Sequence, residues 1–268
     1  MKIGEFMKCE VLISTMNNEN CKKLISNMNV KKATLINQIT KENIELANSK
    51  DKLHRIISVK DRGLSKSRNL AIKNATADIC LIADDDMFYY DDYEKNVLDA
   101  YSKFPDADII AFVVTHDNKK TKKILKEGKV NFLDSNRIQS VQLSFRRKSI
   151  IDSGIKFDEL FGAGSVYNFG EENIFMSDCL KAGLKLYFKP VVIANLYDTG
   201  QSTWFNGYTE RYFINRGAVF KRMSKFIYPI LIMQFAIRKY KLYRNEMNLL
   251  KAIQLMFNGA KQYKYGGE

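Results

Sequence analysis

Ile79-Cys80-Leu81-Ile82-Ala83-Asp84-Asp85-Asp86 is an apolar run that stops at three consecutive carboxylates. A short apolar segment with a sharp polar end is the pattern of a strand buried on both faces. Three adjacent like charges repel, and taking them out of water is costly unless a counter-charge is supplied. A divalent metal is the natural one, because carboxylate oxygens suit Mg²⁺ or Mn²⁺. In open α/β sheets the ligand crevice lies beyond the carboxyl ends of the strands, which is where these acids fall. The competing reading is a solvated acidic turn ahead of the helix that begins near Asp91. The triplet alone leaves both open.

Working outward, Gly63-Leu64-Ser65-Lys66-Ser67-Arg68-Asn69-Leu70-Ala71-Ile72-Lys73-Asn74-Ala75 starts as a glycine turn and continues as an amphipathic helix, with Leu64, Ala71, Ile72 and Ala75 on its inner face. Earlier in the chain, 9–15, 33–38 and 54–59 read as strands, with a polar turn at 17–20 and a helix over 22–28. Later, 91–103 reads as a helix and 108–114 as a strand. The basic stretch 119–134 reads as a hairpin or surface excursion, and 140–146 alternates like a half-exposed strand. A helix over 171–181 and strands near 184–188 and 191–196 follow. Strands alternating with helices at this spacing imply a mainly parallel sheet flanked by helices. One α/β domain over 1–200 is expected, with a helical C-terminal appendage over 201–268.

The glycine-turn helix, the apolar strand and Asp84-Asp85-Asp86 together resemble the nucleotide-sugar half of family 2 glycosyltransferases of the GT-A, Rossmann-like fold. A second block agrees in order: Phe161-Gly162-Ala163-Gly164, then Gly170-Glu171-Glu172-Asn173-Ile174-Phe175, then Lys181-Ala182-Gly183-Leu184. It resembles the family's Gly-Glu-Asp segment, in which an acid opens a helix under the acceptor site. Two ordered blocks roughly eighty-five residues apart are more specific than either alone. The resemblance runs from about Cys9 to Asp198.

It implies inverting transfer of a sugar from a nucleotide-diphosphate donor, expected to be a UDP-sugar, to a hydroxyl. Thr15 then falls beside the base or ribose, and Gln38 takes a position where many members carry Asp against uracil; a loop amide is the plainer reading of Gln38. Asp84 resembles the ribose-contacting acid and Asp86 the metal ligand, with Asp85 pointing away between them. Arg68, and less directly Arg62, would set a positive charge by the diphosphate, since a guanidinium suits phosphate oxygens; a surface arginine is the alternative for Arg68. Glu172 matches the general base, with Glu171 its rival, and both acids would also favour a helix N-terminus without any catalysis. Asp198 is a candidate second metal ligand in place of a family histidine, and Trp204 could stack on an acceptor sugar or simply pack. His54 and His116 read as structural.

Composition narrows the classes further. At 268 residues and 46% hydrophobic content the chain can bury a substantial core. Cys9, Cys21, Cys80 and Cys179 are scattered, which argues against a zinc site or disulfide framework. No signal-peptide pattern is visible at the start, where Met7 is an alternative first residue to Met1. The net charge of +13 is uneven: about a dozen Lys and Arg lie between Arg211 and Lys264, with Glu246 the only acid. Within that block 226–237 is apolar but shorter than the ~20 residues a span needs. Lys225, Arg238, Lys239 and Lys241 around it suit a segment lying on an anionic membrane surface, the alternative being a core helix. The expected setting is cytoplasmic, peripheral on the inner face of the plasma membrane. The expected acceptor is a glycan or lipid-linked glycan of the cell surface, with no nucleic acid as partner. A nucleotidyltransferase would need a Gly-rich basic loop after the first strand, where this chain has Asn17-Asn18-Glu19-Asn20. A non-catalytic nucleic-acid binder using the basic block leaves Gly170-Glu171-Glu172 unexplained.

Overall fold

The computed structural model describes residues 7–117, 125–197, 205 and 207–264. In chain order the elements are β1 (Cys9–Met16), α1 (Cys21–Asn27), β2 (Ala33–Gln38), β3 (Ser49–Lys50), β4 (His54–Val59), α2 (Leu64–Asn74), β5 (Ile79–Asp84) and β6 (Met87–Tyr89). They continue with α3 (Tyr93–Lys103), β7 (Ile109–His116), β8 (Gly128–Lys129), α4 (Phe132–Ser135), a 3-10 turn (Ser140–Gln142), β9 (Leu143–Arg146), α5 (Arg147–Ser153), α6 (Glu171–Lys181) and β10 (Leu186–Leu196). Three helices end the chain: α7 (Glu210–Met223), α8 (Tyr228–Tyr243) and α9 (Leu249–Gln262).

Among the described residues the strands form one sheet in the order β3-β4-β2-β1-β5-β9-β7-β10-β6, with β8 paired to β10. β4, β2, β1 and β5 run parallel, as do β7 and β10. The sheet is covered on both faces, and this is why its central strands are apolar almost without alternation. Ile25 of α1, Met28 at its end and Tyr93, Val97 and Tyr101 of α3 pack on one side. Ala71 and Ile72 of α2, Ile150 of α5 and Phe175, Met176 and Cys179 of α6 pack on the other. Each fully buried aromatic there contributes about 1.5–3 kcal/mol.

Two expectations are corrected. Residues 140–146 do not form a half-exposed strand: they are the 3-10 turn and then β9, which runs antiparallel between β5 and β7 with Leu143, Ser144 and Phe145 buried. Its one buried polar side chain is tolerated in the core because the Ser144 hydroxyl donates to the Ile110 carbonyl at 2.8 Å and meets the Tyr101 hydroxyl at 2.9 Å. The two strands expected over 184–188 and 191–196 are a single strand, β10, whose register against β7 shifts between Phe188 and Val192 and again before Ala194. Pro190, which cannot donate to a ladder, sits inside that irregular stretch. Of the basic excursion, 118–124 lies outside the described residues, and the remainder supplies β8 and α4.

The expected domain boundary near Gly200 also falls outside the described residues. The helices beyond it share a core with the preceding chain, since Phe161, Phe169 and Ile174 cluster with Phe213, Val219, Ile232, Met256 and Tyr263. Arg222 of α7 ties them down further, donating to Asp158 at 2.7 Å and to Asp178 at 2.8 and 3.1 Å. α7 and α9 cross with their backbones in contact. A Cβ on Gly217 would lie 1.8 Å from the Met256 carbonyl oxygen, and one on Gly259 would lie 1.9 Å from that of Ile214.

Candidate active site

The acids of the opening motif occupy a tight turn. β5 ends at Asp84, Asp85 and Asp86 turn the chain, and β6 returns against β10. Because Ser14 of β1 is level with Asp84, Thr15 reaches past the strand end to the turn. Its hydroxyl donates to Asp85 at 2.5 Å. Asp85 therefore turns toward Thr15 rather than away, and Thr15 is engaged by this acid as well as standing at the expected strand tip. Burial, then the neighbouring Asp84 charge, raises the pKa of Asp86 to about 6. Its Oδ1 is buried with no hydrogen-bond partner. His116, which the sequence reading set aside as structural, closes β7 at the same end of the sheet, with its Nε2 3.3 Å from Gln139 Oε1. A positive charge on it opposes the shift at Asp86.

Arg68 lies in α2, whose start is held to β1 by the Ser67 hydroxyl donating to that of Ser14 at 2.7 Å. Its guanidinium is only 1% exposed, so it is not the free phosphate-facing cation the sequence suggests. One nitrogen donates to Glu171 at 2.7 Å, and the other to Asp84 at 3.1 Å and to the Ser140 hydroxyl at 2.9 Å. The ring of Phe157 lies beneath it, 5.5 Å from the guanidinium carbon to the ring centroid, and stacks in turn on Phe175 at 4.2 Å. Burial works against the Arg68 charge, but Asp84, Glu171 and Glu172 outweigh it and raise its pKa. A buried ion triad of this kind organises geometry more than it adds net stability, since desolvation offsets most of the attraction.

The second block closes on the first through the same contact. The Leu64 amide donates to the Ala163 carbonyl at 2.9 Å, and the Ser65 hydroxyl to the Phe161 carbonyl at 2.7 Å. Gly162 has φ +104°, and a Cβ there would sit 3.2 Å from Ser65 Oγ and 3.3 Å from Glu171 Cδ, so the loop needs glycine to press this close. Glu171 opens α6 as a buried residue committed to Arg68. Glu172, next to it, is half-buried. Burial first, and the Glu171 charge second, push its carboxyl well above the usual carboxylate range, with Arg68 and Arg216 acting in the opposite sense. The pair thus divides into an acid fixed by an arginine and an acid whose ionised form burial and its neighbour's charge disfavour.

Arg216, from α7, was not singled out from sequence. Its guanidinium lies 4.5 Å from the centroid of Phe169, two residues before α6, and 5.4 and 5.3 Å from those of Tyr212 and Phe235. The only sequence signal was its i,i+4 spacing from Tyr212 and Phe220. Ser140 carried none, because its partner lies 72 residues away.

The remaining candidates are more peripheral. Gln38, buried at the tip of β2, donates from its amide to the Gly63 carbonyl at 3.1 Å and so supports the glycine turn. It also lines a cavity of about 620 Å³ with Val59, Asp61, Lys66, Leu70 and Ile150; none of the acids of the turn lines that cavity. Arg62 is exposed and lies against Gly164, whose Cβ would be 3.1 Å from Arg62 Cγ. Asp198 and Trp204 lie outside the described residues.

A mixed sheet with a parallel β4-β2-β1-β5 half, acids in the turn after β5 and a helix opened by acids that reaches them through Arg68 is the GT-A arrangement. Residues 37–160, a little under half of the chain, match the family model described as Glycosyl transferase family 2. That stretch contains Gln38, Arg68 and the acidic turn and stops before Glu171. Among solved structures, S. aureus TarS 1-349 in complex with UDP-GlcNAc aligns over 90% of this chain and 74% of its own, with 12% identity and a TM-score of 0.62. S. aureus TarS 1-349 without that ligand in its description aligns over the same shares at 14% identity and a TM-score of 0.59. The longer S. aureus TarS chain aligns over 89% of this chain and 44% of its own, at 13% identity and a TM-score of 0.60. At these identities the likeness establishes the fold. No curated protein matches the chain in sequence.

Proposed function

We propose that this chain is an inverting glycosyltransferase that moves a sugar from a nucleotide-diphosphate donor to a hydroxyl of a glycan or lipid-linked acceptor. The observation that carries it is the junction at Arg68, which fixes the acidic turn and the start of α6 to one another and leaves Glu172 beside them with a raised pKa. The family match over 37–160 and the UDP-GlcNAc bound by TarS support a nucleotide-sugar donor, with a UDP-sugar as the first choice.

Glu172, ionised, accepts the proton of the acceptor hydroxyl as the oxygen forms its bond to the anomeric carbon. The bond from that carbon to the diphosphate oxygen breaks on the opposite side, and inversion follows from this in-line displacement. Arg68 holds Glu171 in place through their 2.7 Å contact, which leaves Glu172 as the acid of the pair free to take the proton. Thr15, Gln38 and Asp84, at the tips of β1, β2 and β5, are the donor-side groups. Among the described residues no group of three or more His, Cys, Asp or Glu is gathered to hold a metal ion, so the support for a divalent cation is the orphaned buried oxygen of Asp86, a hard ligand of the kind Mn²⁺ or Mg²⁺ takes. Asp86 would hold it, with Asp198 as the second candidate, and it would neutralise the charge of the departing diphosphate.

The test is a panel of nucleotide sugars scored for hydrolysis and for thermal stabilisation, with and without Mn²⁺. A response to at least one nucleotide sugar is expected, and none across the panel would overturn the proposal.

A further inference from the structure

α8 is apolar on two sides, and only one of them is used. Leu231, Ile232, Ala236 and Tyr243 are buried against α7 and α9. Ile230, Met233, Ile237 and Tyr240 recur at the helical spacing of four, three, four and three residues that begins with Phe226 in the preceding turn. They are respectively 68%, 41%, 62% and 37% exposed, and Phe226 is 89% exposed. This is a continuous stripe about four turns long, unlike the isolated apolar residues found on any surface. Phe235, which faces the guanidinium of Arg216 at 5.3 Å, lies on a different side of the helix, so the stripe points away from α7.

The charge around the stripe identifies its occupant. Residues 225–244 contain Lys225, Arg238, Lys239, Lys241 and Arg244 and no acid. Lys241 falls within the exposed arc and Arg238 at its edge, both exposed. A second copy of this chain would bring the same basic rim against itself, which Coulomb repulsion opposes in a molecule of net charge +13. An anionic bilayer supplies what the face lacks on both counts, an apolar layer for the stripe and negative headgroups for its rim. No described helix is long and apolar enough to cross a membrane, which leaves a helix lying in the plane.

We infer that the Phe226–Tyr240 face of α8 docks this protein on an anionic lipid surface, with Phe226, Ile230, Met233 and Ile237 inserted among the acyl chains and Arg238 and Lys241 at the headgroups. The inference goes beyond the proposed function, which names a lipid-linked acceptor only as one choice, and does not depend on its chemistry. Because every substituted residue is exposed, the variants keep the fold.

The experiment is flotation of the full chain with vesicles of phosphatidylcholine containing about 30% phosphatidylglycerol, and with pure phosphatidylcholine. The wild type is expected on the anionic vesicles only. The triple variant Ile230→Gln, Met233→Gln, Ile237→Gln should lose at least ~10-fold in partitioning at any salt. Arg238→Gln with Lys241→Gln should lose several-fold at low salt, a loss that shrinks as salt rises. Absence of wild-type binding at low salt overturns the inference. So does a concentration-dependent dimer in sedimentation velocity that the triple variant abolishes, which would make the stripe an interface between copies. Nucleotide-sugar stabilisation measured on the same proteins should be equal in all of them, so failure of docking and failure of the glycosyltransferase reading are told apart.

Discussion

Arg68 and Glu171 meet at 2.7 Å although 103 residues separate them in the chain. The same guanidinium reaches Asp84 at 3.1 Å, so a single buried side chain sets the distance between the acidic turn after β5 and the first turn of α6. No other hydrogen-bonded pair described here joins the two sequence blocks through charge.

The first prediction tests that joint. Arg68→Lys offers one ammonium where a planar fork serves Asp84, Ser140 and Glu171, and the exchange is not conservative at such a site. Unfolding free energy should fall by about 3 kcal/mol, the scale for breaking a buried ion pair, and turnover should fall with it. Denaturant unfolding curves check this; a midpoint and a turnover equal to wild type would show that the fork is dispensable.

Glu172→Gln separates the two acids of α6. Donor affinity should survive while turnover drops by roughly 100-fold or more, the usual scale for a lost general base. Glu171→Gln should instead cost stability, because Arg68 loses its 2.7 Å partner. If Glu171→Gln keeps full stability and loses turnover while Glu172→Gln stays active, the roles are exchanged.

The pH profile of kcat/KM follows from the same geometry. Burial and Glu171 raise the pKa of Glu172, and the base acts only when ionised, so activity should climb with pH beyond the usual carboxylate range. Arg216→Gln removes a charge that favours the ionised form, and the acid limb should move to higher pH. Stability carries the opposite sign. A carboxyl whose folded pKa is raised contributes fully below its unfolded value, and that contribution is lost as pH rises through the folded one. Glu172→Gln should flatten this fall in unfolding free energy; an acid limb that Arg216→Gln leaves in place would remove Arg216 from the site.

Asp86→Asn keeps the shape of the turn and makes its orphaned oxygen part of a neutral amide. Mn²⁺-dependent stabilisation by UDP should vanish while the protein stays folded, read by thermal shift with and without the metal. Unchanged Mn²⁺ dependence would place the cation on other residues.

How far the sequence carried can be seen from particular residues. The apolar strands 33–38 and 54–59 and the helix 171–181 come out at those bounds, because buried parallel strands and a helix opened by two acids leave strong local patterns. β9 was misjudged because Ser144 lends it an alternation that long-range hydrogen bonds make harmless in the core. Arg68 was placed facing solvent-side phosphates because its counter-charges come from 16 and 103 residues away, and no local pattern reports them. Arg216 offered only its i,i+4 spacing from Tyr212 and Phe220, because its other rings come from Phe169 and from Phe235 of α8.

The backbone contact of Gly217 with Met256, mirrored by Gly259 with Ile214, has a consequence for how this protein can vary. Even a methyl group at either glycine would have to displace a main-chain carbonyl, so the two helices have a single permitted crossing point. The register of α7 on α9 is then fixed at that crossing, so insertions should be borne in the turns flanking α8 but not within α7 or α9 between the crossing and those turns. Trimming the chain after α7 to obtain a smaller catalytic unit would strip Met256 and Tyr263 from a core that also holds Phe161, one residue before the loop glycine beside Glu171.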